Sequence, residues 1–286
     1  MLADAIRAES YRLSKNRTAL FWSVLFVPVM GLILSIAKIV FTKTREAAIV
    51  QGLPPGLRID PSPLNVGHSL VAGAADFANP AVLMFVLIGA AVIYAGDYRW
   101  ETWRLTTARN SRPNLLIGKV VVVVGLTIAA TIALLVSDII SDLITAAVFK
   151  RPLTFSMTGE AAAHMAGLSL LAWARIVQFA MLGLLAAVVT RSLLAALFAP
   201  LVIGVGQFFL PGMLAPLGVL PTGWLIPLLS PGLATDLLKA VIADGPAAAA
   251  LPGQALAKGL LGLIVWLVLP LAAAVAWFAR QDLSRE

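Results

Sequence analysis

The chain contains no cysteine, few charged residues and only two histidines among its 286 residues. Without cysteine there can be no disulfide framework, thiolate metal site or cysteine nucleophile. Charged residues make up 12% of the sequence and hydrophobic residues 60%, whereas a soluble domain is about one quarter charged. So little charge cannot cover the surface of a soluble body of this size. Much of that surface must therefore face lipid.

Sequence motifs for catalysis and nucleotide binding are also missing. The one Gly-Lys pair, Gly118-Lys119, lacks the upstream glycine of a phosphate-binding loop and is followed by Val120. No nucleophile elbow, zinc-protease motif or Rossmann glycine pattern occurs. The histidines, His68 and His164, fall in predicted loops without the spacing of metal ligands. We therefore expect that the chain is not an enzyme and holds no metal or cofactor of its own.

Long uncharged stretches predict six transmembrane helices in a single transmembrane domain, 1–286. A helix needs about 20 mostly apolar residues to cross the hydrocarbon core. The first run is uncharged over 20 residues, which is too long for the apolar region of a signal peptide, at about 7–15 residues. The gaps between charges give the spans 18–40, 77–96, 115–137, 165–189, 192–210 and 257–279. The sequence thus predicts an all-α polytopic membrane protein.

Residues 211–253 interrupt this pattern before the last span. The uncharged stretch between Arg191 and Asp236 has 44 residues, too many for one crossing, and holds six prolines, five of them after Leu210. Proline breaks helices, and non-helical backbone at membrane depth is tolerated only where protein shields it or where it lines a wet cavity. We predict that 211–253 is a broken segment that is either re-entrant or lies on the external surface.

Lysine and arginine are unevenly distributed around the predicted spans. With the N-terminus inside, the inner segments hold 50 residues and 12 of the 21 basic side chains; they are 1–17, 97–119, 190–192 and 280–286. The outer stretches hold 105 residues and eight basic side chains; they are 38–78, 149–164 and 211–258. Basic residues concentrate on the cytoplasmic side of membrane proteins. We therefore expect both termini in the cytoplasm.

Residues 1–17 predict an amphipathic helix lying in the membrane interface. Its apolar side chains share one face at 100° per residue: Leu2, Ala5, Ile6 and Leu13. Glu9 lies in the middle of that face, where a carboxylate should not point into lipid. Either Glu9 pairs with Arg12, three residues further on, or the face packs on protein and Glu9 meets a basic residue of 97–112.

Four polar residues lie within or at the ends of the predicted spans: Asp138, Asp142, Arg175 and Gln178. Counted from residue 115, Asp138 lies ~33 Å along the third helix, at the outer interface. Arg175 shares a face of the fourth helix with Gln178 and falls in the outer half of the bilayer. Either Arg175 snorkels outward or pairs with Asp138 as a structural contact, or these side chains line a substrate path.

The most patterned polar segment is the loop 98–112, between the second and third spans. Its apolar residues Trp100, Trp103 and Leu105 alternate with arginines, as on a short amphipathic helix over 98–109 that ends before Pro113. Taken alone, the pattern is also typical of an aromatic and arginine anchor at a membrane interface.

This loop resembles the first intracellular loop of the ABC-2 family of ABC-transporter permeases. The matching residues, at the spacing of the family, are Thr102, Arg104, Ser111, Arg112, Gly118 and Lys119. Glu101 stands where the family usually has glycine. The amphipathic N-terminal helix, the six spans, the proline-broken segment and the Arg280-Gln281-Asp282-Leu283 ending are similar too. The resemblance therefore covers nearly the whole chain.

The resemblance implies a permease subunit of an ATP-driven exporter with a type V fold, in the bacterial plasma (inner) membrane. Two copies of a separate ATPase subunit would bind ATP and Mg²⁺, and a second permease chain, identical or related, would complete the pathway. The residues that would contact the ATPase are Arg99, Trp100, Glu101, Thr102, Trp103, Arg104, Arg109 and Arg112. The aliphatic spans favour a hydrophobic or amphipathic substrate. Topology explains the net charge of +7, so we expect no nucleic-acid partner.

Two other functions fit the sequence to different degrees. A secondary transporter needs coupling-ion residues, usually acidic, near the midplane, and none of the 14 Asp and Glu residues falls there in the predicted topology. A membrane sensor or assembly subunit that transports nothing fits the sequence nearly as well as a permease.

Overall fold

Helices make up nearly all of the described chain. The computed structural model describes residues 1–45, 62–100, 102–218, 223–242, 251 and 253–282. In chain order, its helices are α1 (Leu2–Lys15), α2 (Arg17–Thr44), α3 (Val66–Ala74), α4 (Pro80–Arg99), α5 (Trp103–Thr107), α6 (Arg112–Phe149), α7 (Gly159–Thr190), α8 (Leu193–Leu214), α9 (Leu225–Leu229), α10 (Pro231–Ile242) and α11 (Ala255–Arg280). Six of them, α2, α4, α6, α7, α8 and α11, are long and apolar enough to cross a membrane. This confirms the predicted all-α polytopic membrane protein.

Helix α6 is longer than the crossing predicted for it. It has 38 residues, which corresponds to ~57 Å at 1.5 Å per residue, whereas the hydrocarbon core of a bilayer is about 30 Å thick. The predicted span, 115–137, ended at the first carboxylate, but Asp138 and Asp142 do not interrupt the helix. The last turns of α6 therefore continue beyond the length of a single crossing.

The beginning of the first helix and the end of the last described helix lie on the same side of the bundle. Asn110 Nδ2 donates to the carbonyl of Met1 at 2.7 Å, and Arg112 Nη1 donates to the carbonyl of Gln281 at 2.7 Å. An even number of crossings requires this arrangement. We call this side the Asp97 end, because Asp97 lies there in the last turn of α4, and the other side the Pro80 end.

Helices α4 and α7 form the centre of the bundle. Large side chains on both helices are fully buried, among them Tyr94, Phe179 and Leu184. Helix α7 packs closely on α8 at Gly183, where a Cβ atom would lie 2.8 Å from the carbonyl oxygen of Ala196. By contrast, α2 and α8 bury few of their side chains. This distribution suits a bundle whose outer helices face lipid or another chain.

The predicted broken segment, 211–253, contains the short helices α9 and α10 among its described residues. Both pack on α11, where a Cβ atom at Gly262 would overlap the carbonyl oxygen of Pro227. Trp266 Nε1 also donates to the carbonyl of Leu228 at 3.0 Å. The segment is thus broken into short helices, as its prolines predict, and its re-entry into the membrane stays a prediction.

Two short parallel strands connect distant loops at the Pro80 end. β1 (Leu64–Asn65) pairs with β2 (Leu153–Thr154). Asn65 Nδ2 also donates to Ser156 Oγ at 2.7 Å, and Arg151 Nε donates to the carbonyl of Ser62 at 2.8 Å. These contacts fix the end of α6 against the segment that precedes α3.

Candidate functional site

A buried lysine lies at the centre of an ion network at the Asp97 end. Lys119, in the second turn of α6, is 2% exposed. Its Nζ atom lies 2.7 Å from Asp97 Oδ2 and 3.3 Å from Glu9 Oε1. The same atom donates to the carbonyl of Ile93 at 2.7 Å and lies 5.2 Å from the centre of the Trp103 ring. The ammonium group of Lys119 is therefore surrounded by two carboxylates, a backbone carbonyl group and an aromatic ring.

Arg12 of α1 completes the network from its solvent-facing side. Arg12 Nη1 lies 3.0 Å from Glu9 Oε1 and 3.0 Å from Asp97 Oδ1. Thr102 Oγ1 donates a further hydrogen bond to Asp97. Two carboxylates and two cations thus balance one another. Burying unpaired charges costs several kcal/mol per ion, so each member of the network depends on the others.

The ion network joins three separate parts of the chain. It links α1 to the last turn of α4, to the residue before α5 and to the start of α6. Gly118 allows α1 to approach α6, because a Cβ atom there would lie 2.9 Å from Ala5 Cβ. A cavity of about 290 Å³ lies beside the network and is lined by its four charged members and by Trp100.

The network shows which basic residues neutralise Glu9 on the apolar face of α1. Glu9 pairs with Arg12, as the spacing of three residues predicts. The apolar face of α1 also packs on protein, but among the described side chains the second partner of Glu9 is Lys119 of α6, which lies beyond the loop 97–112. The sequence alone does not identify Asp97 and Lys119 as an ion pair. Their positions could have indicated it, because a short loop joins the end of α4, which carries Asp97, to the start of α6, which carries Lys119.

A second polar cluster ties the end of α11 to the same end of the bundle. Arg112 Nη1 donates to the carbonyl groups of Phe278, Ala279 and Gln281 at 3.3, 3.0 and 2.7 Å. Tyr98 Oη donates to Gln281 Oε1 at 2.9 Å, and Gln281 Nε2 donates to the carbonyl of Val188 at 2.9 Å. Free carbonyl groups at a helix C-terminus are thereby satisfied. Arg112 therefore has a structural partner inside the chain.

The loop 98–112 differs from the predicted amphipathic helix over 98–109. Helix α4 continues to Arg99, and α5 covers only Trp103–Thr107. Trp100 is 71% exposed, whereas Trp103 is 3% exposed and packs on Phe278 with ring centroids 4.5 Å apart. The expectation that Trp103 contacts a partner is therefore wrong, because its indole ring belongs to the core.

The other loop residues predicted to contact a partner are exposed, bound within the chain or undescribed. Arg99 and Arg109 are exposed, and the guanidinium of Arg99 lies 5.3 Å from the centre of the Trp100 ring. Thr102 takes part in the ion network instead. Glu101 and the side chain of Arg104 lie outside the described residues.

Arg175 pairs with a different carboxylate from the one predicted. Arg175 Nη1 lies 3.1 Å from Asp236 Oδ1 of α10. Asp138 instead faces α3, where its Oδ2 atom lies 2.8 Å from the position of a Cβ atom at Gly73. The suggested contact between Arg175 and Asp138 is therefore wrong. Counting residues along the predicted helices places Arg175 and Asp138 near the same membrane interface. It does not show which helix packs on each residue, and in the structure α3 packs on Asp138 and α10 on Arg175.

The remaining polar residues of the spans lie apart from the ion network. Asp142 interacts with Ser69 of α3. Gln178 is fully buried in α7; its Nε2 atom donates to the carbonyl of Leu263 at 3.2 Å, and its Oε1 atom has no partner within the described part of the chain. Across the described ranges, no three histidine or carboxylate side chains are grouped in a way that could hold a metal ion.

Comparisons with known proteins add no family to this description: no family model matches the chain, and no curated protein matches it significantly. The resemblance to ABC-2 permeases therefore rests on the motifs in the sequence.

Proposed function

We propose that the chain is the membrane-spanning permease subunit of an ATP-driven ABC transporter that exports a hydrophobic or amphipathic substrate. Separate ATPase subunits, two per complex, bind ATP and Mg²⁺ and perform the hydrolysis. The Asp97 end faces the cytoplasm of a bacterial cell, in line with the bias of basic residues toward that side of a membrane.

One observation carries this proposal: an exposed apolar loop surface is attached to the bundle through buried ion pairs. Trp100 and Leu105 present large apolar side chains outside the bundle. The residues next to them, Asp97 and Thr102, are bonded into the network that holds α1 and α6. A loop that served only as a spacer would not need such an attachment.

The attachment supports a mechanical role for the loop. A partner that binds Trp100 and Leu105 and then moves would pull on α4 directly, and on α1 and α6 through the ion pairs. The network thus transmits a displacement to three helices together, as rigid-body switching of a transporter requires. A second permease chain completes the substrate path, because the centre of this chain around Gln178 is closely packed.

Copurification from the native membrane tests the proposal. The tagged chain, extracted in mild detergent, is expected to retain an ATPase that carries a phosphate-binding loop. Leu105→Glu should remove most of that ATPase and its ATP hydrolysis, because a carboxylate would enter an apolar contact.

The matched control is Phe155→Glu, which changes an exposed apolar residue at the Pro80 end. It should leave the ATPase bound. The proposal fails if no ATP-hydrolysing partner is retained, or if both variants retain it equally. An ATPase that binds but supports no transport would instead assign the chain as a sensor or assembly subunit.

A further inference from the structure

A polar cavity of about 230 Å³ lies at the Pro80 end, far from the ion network. Pro80 and Asp97 are 17 residues apart on α4, which corresponds to ~26 Å. The cavity lies between the turn that precedes α4, the middle of α7 and helix α10. Its inner wall is apolar and includes Leu168, Leu171 and Ala172, whereas charged side chains surround its mouth.

Two ion pairs stand at the mouth, and in each pair the cation is the less exposed partner. Arg175 is 23% exposed and its partner Asp236 57%. Lys239 is 44% exposed and lies 4.0 Å from Oδ1 of Asp76, which is 84% exposed. The cations thus lie deeper than the carboxylates.

The cations keep hydrogen-bonding capacity that these pairs do not use. Among the described residues, Arg175 contacts Asp236 through Nη1, although a guanidinium has five N–H donors. No described atom is a hydrogen-bond partner of its buried Nε atom. Lys239 Nζ donates a hydrogen bond to the carbonyl of Ala75 at 2.7 Å. Ion pairs this exposed contribute little to stability, so a ligand can replace them.

The start of α4 adds positive potential to the same cavity. Asn79 caps this helix of 20 residues, its side chain accepting from the backbone N–H of Val82 at 3.0 Å. Asn79 and Pro80 both line the cavity. The N-terminus of a helix carries a partial positive charge that favours anions.

We infer that this cavity binds a zwitterionic group of the phosphoethanolamine type. Its anionic part lies against Arg175, Lys239 and the start of α4, and its ammonium lies at the mouth against Asp76 and Asp236. The cavity volume of about 230 Å³ is that of several water molecules, each of which occupies about 30 Å³ in the liquid. The cavity therefore has room for a small polar headgroup. The group belongs either to a lipid or to a soluble phosphate ester. This inference does not depend on the proposed function.

Calorimetric titration of the purified chain in detergent tests the inference with four probes. Short-chain phosphatidylethanolamine and free phosphoethanolamine carry both charges, whereas short-chain phosphatidylglycerol and ethanolamine carry one each. A zwitterionic probe should bind more tightly than either singly charged probe. Binding of the lipid alone identifies a lipid headgroup as the ligand, and equal binding of free phosphoethanolamine identifies a soluble ester.

Substitutions at the mouth then locate the site. Lys239→Gln and Arg175→Gln should each weaken the zwitterionic probe about 10–100-fold, the loss expected for a hydrogen bond to a charged group. Asp76→Asn should weaken the zwitterion and leave phosphatidylglycerol unaffected. Lys150→Gln, at an exposed lysine of the same end, is the matched control and should change nothing.

Three results would overturn the inference: no binding of either zwitterionic probe, equal binding of phosphatidylglycerol, or unchanged affinity in Lys239→Gln. Because Arg175→Gln can also weaken the packing of α7 on α10, its result counts only if its thermal unfolding matches that of the native chain. Lys239→Gln and Asp76→Asn decide the matter otherwise, since both side chains are substantially exposed.

Discussion

Lys119 shows how a single side chain can determine the arrangement of its surroundings. Its ammonium neutralises carboxylates from two different helices, and its side chain is buried. An ammonium in such a position is stable only while Asp97 and Glu9 remain charged beside it. We therefore predict that the charges of Lys119, Asp97 and Glu9 are strongly coupled in their effect on stability.

Removal of the lysine charge should destabilise the protein severely. Among the described side chains, Lys119→Met leaves Arg12 as the cation that Asp97 and Glu9 share, and breaking a buried pair costs about 3–5 kcal/mol. The double variant Lys119→Met/Asp97→Asn should recover part of that loss. Thermal unfolding in detergent measures both, with Lys150→Met as the exposed control. Additive losses with no recovery would show that the two charges do not interact.

The two tryptophans of the loop should respond oppositely to truncation. Trp103→Ala removes a buried ring and should cost about 3–5 kcal/mol of stability. Trp100→Ala removes an exposed ring and should change stability by no more than about 0.5 kcal/mol, while it weakens binding of the ATPase. Equal thermal unfolding temperatures for the two variants would contradict the placement of these rings.

The sequence predicts single charges better than their partners. The Glu9–Arg12 pair follows from helical spacing, which is a local property. Lys119 as the second partner of Glu9, and Asp236 as the partner of Arg175, depend on how distant helices pack. The burial of Trp103 likewise depends on Phe278, at the far end of the chain.

Helix α1 is held by shape as well as by charge. Its small residue Ala5 fits against Gly118 of α6, and this close contact brings Glu9 within reach of Lys119. Charge and packing at the scale of elements therefore act on the same interface. A change in either should loosen α1 from the bundle.

A larger side chain at Gly118 tests the packing of α1 directly. Gly118→Val should push α1 away from α6 and cost about 1–3 kcal/mol, the usual range for overpacking. Gly125→Val is the matched control in the same helix, because among the described residues no atom other than the nearby backbone of α6 itself lies within 4 Å of the added Cβ position. Trypsin should cleave after Arg12 faster in Gly118→Val than in the control. Equal cleavage rates would show that α1 does not depend on this contact.

At the scale of elements, the six long helices were predictable and their exact lengths were not. Uncharged runs of about 20 residues are a local signal for a crossing. The true end of α6 was missed because Asp138 and Asp142 end the uncharged run but not the helix. The bounds of the short helix α5 were not predicted either. Residues 98–109 include the end of α4 as well as the separate helix α5, and their combined hydrophobic pattern resembles that of one helix.

The whole molecule has two chemically different ends. The Asp97 end combines the ion network, the polar cluster around Arg112 and the exposed loop residues. The Pro80 end has the strand pair and the cavity lined by Arg175 and Lys239. The six-helix bundle explains why one loop surface and both described chain ends share a side, and we propose from the distribution of basic residues that this side is cytoplasmic.

Cysteine labelling tests this orientation cleanly, because the chain has no cysteine of its own. A cysteine at Phe155 should react with a membrane-impermeant maleimide in intact cells. A cysteine at Leu105 should react only after permeabilisation. Both side chains are exposed, so their reactivity depends on which side of the membrane they face. The reverse pattern would invert the topology.

We propose that an ATPase moves the Asp97 end and that the helices carry this motion to the Pro80 end. Hydrogen–deuterium exchange of the complex in lipid nanodiscs tests this coupling, comparing the ADP state with the state trapped by ATP and vanadate. We predict that exchange changes both in residues 100–111 and in residues 75–79, at opposite ends of α4. Changes confined to the ATPase, with both segments unaltered while ATP is hydrolysed, would show that the motion does not pass through this chain.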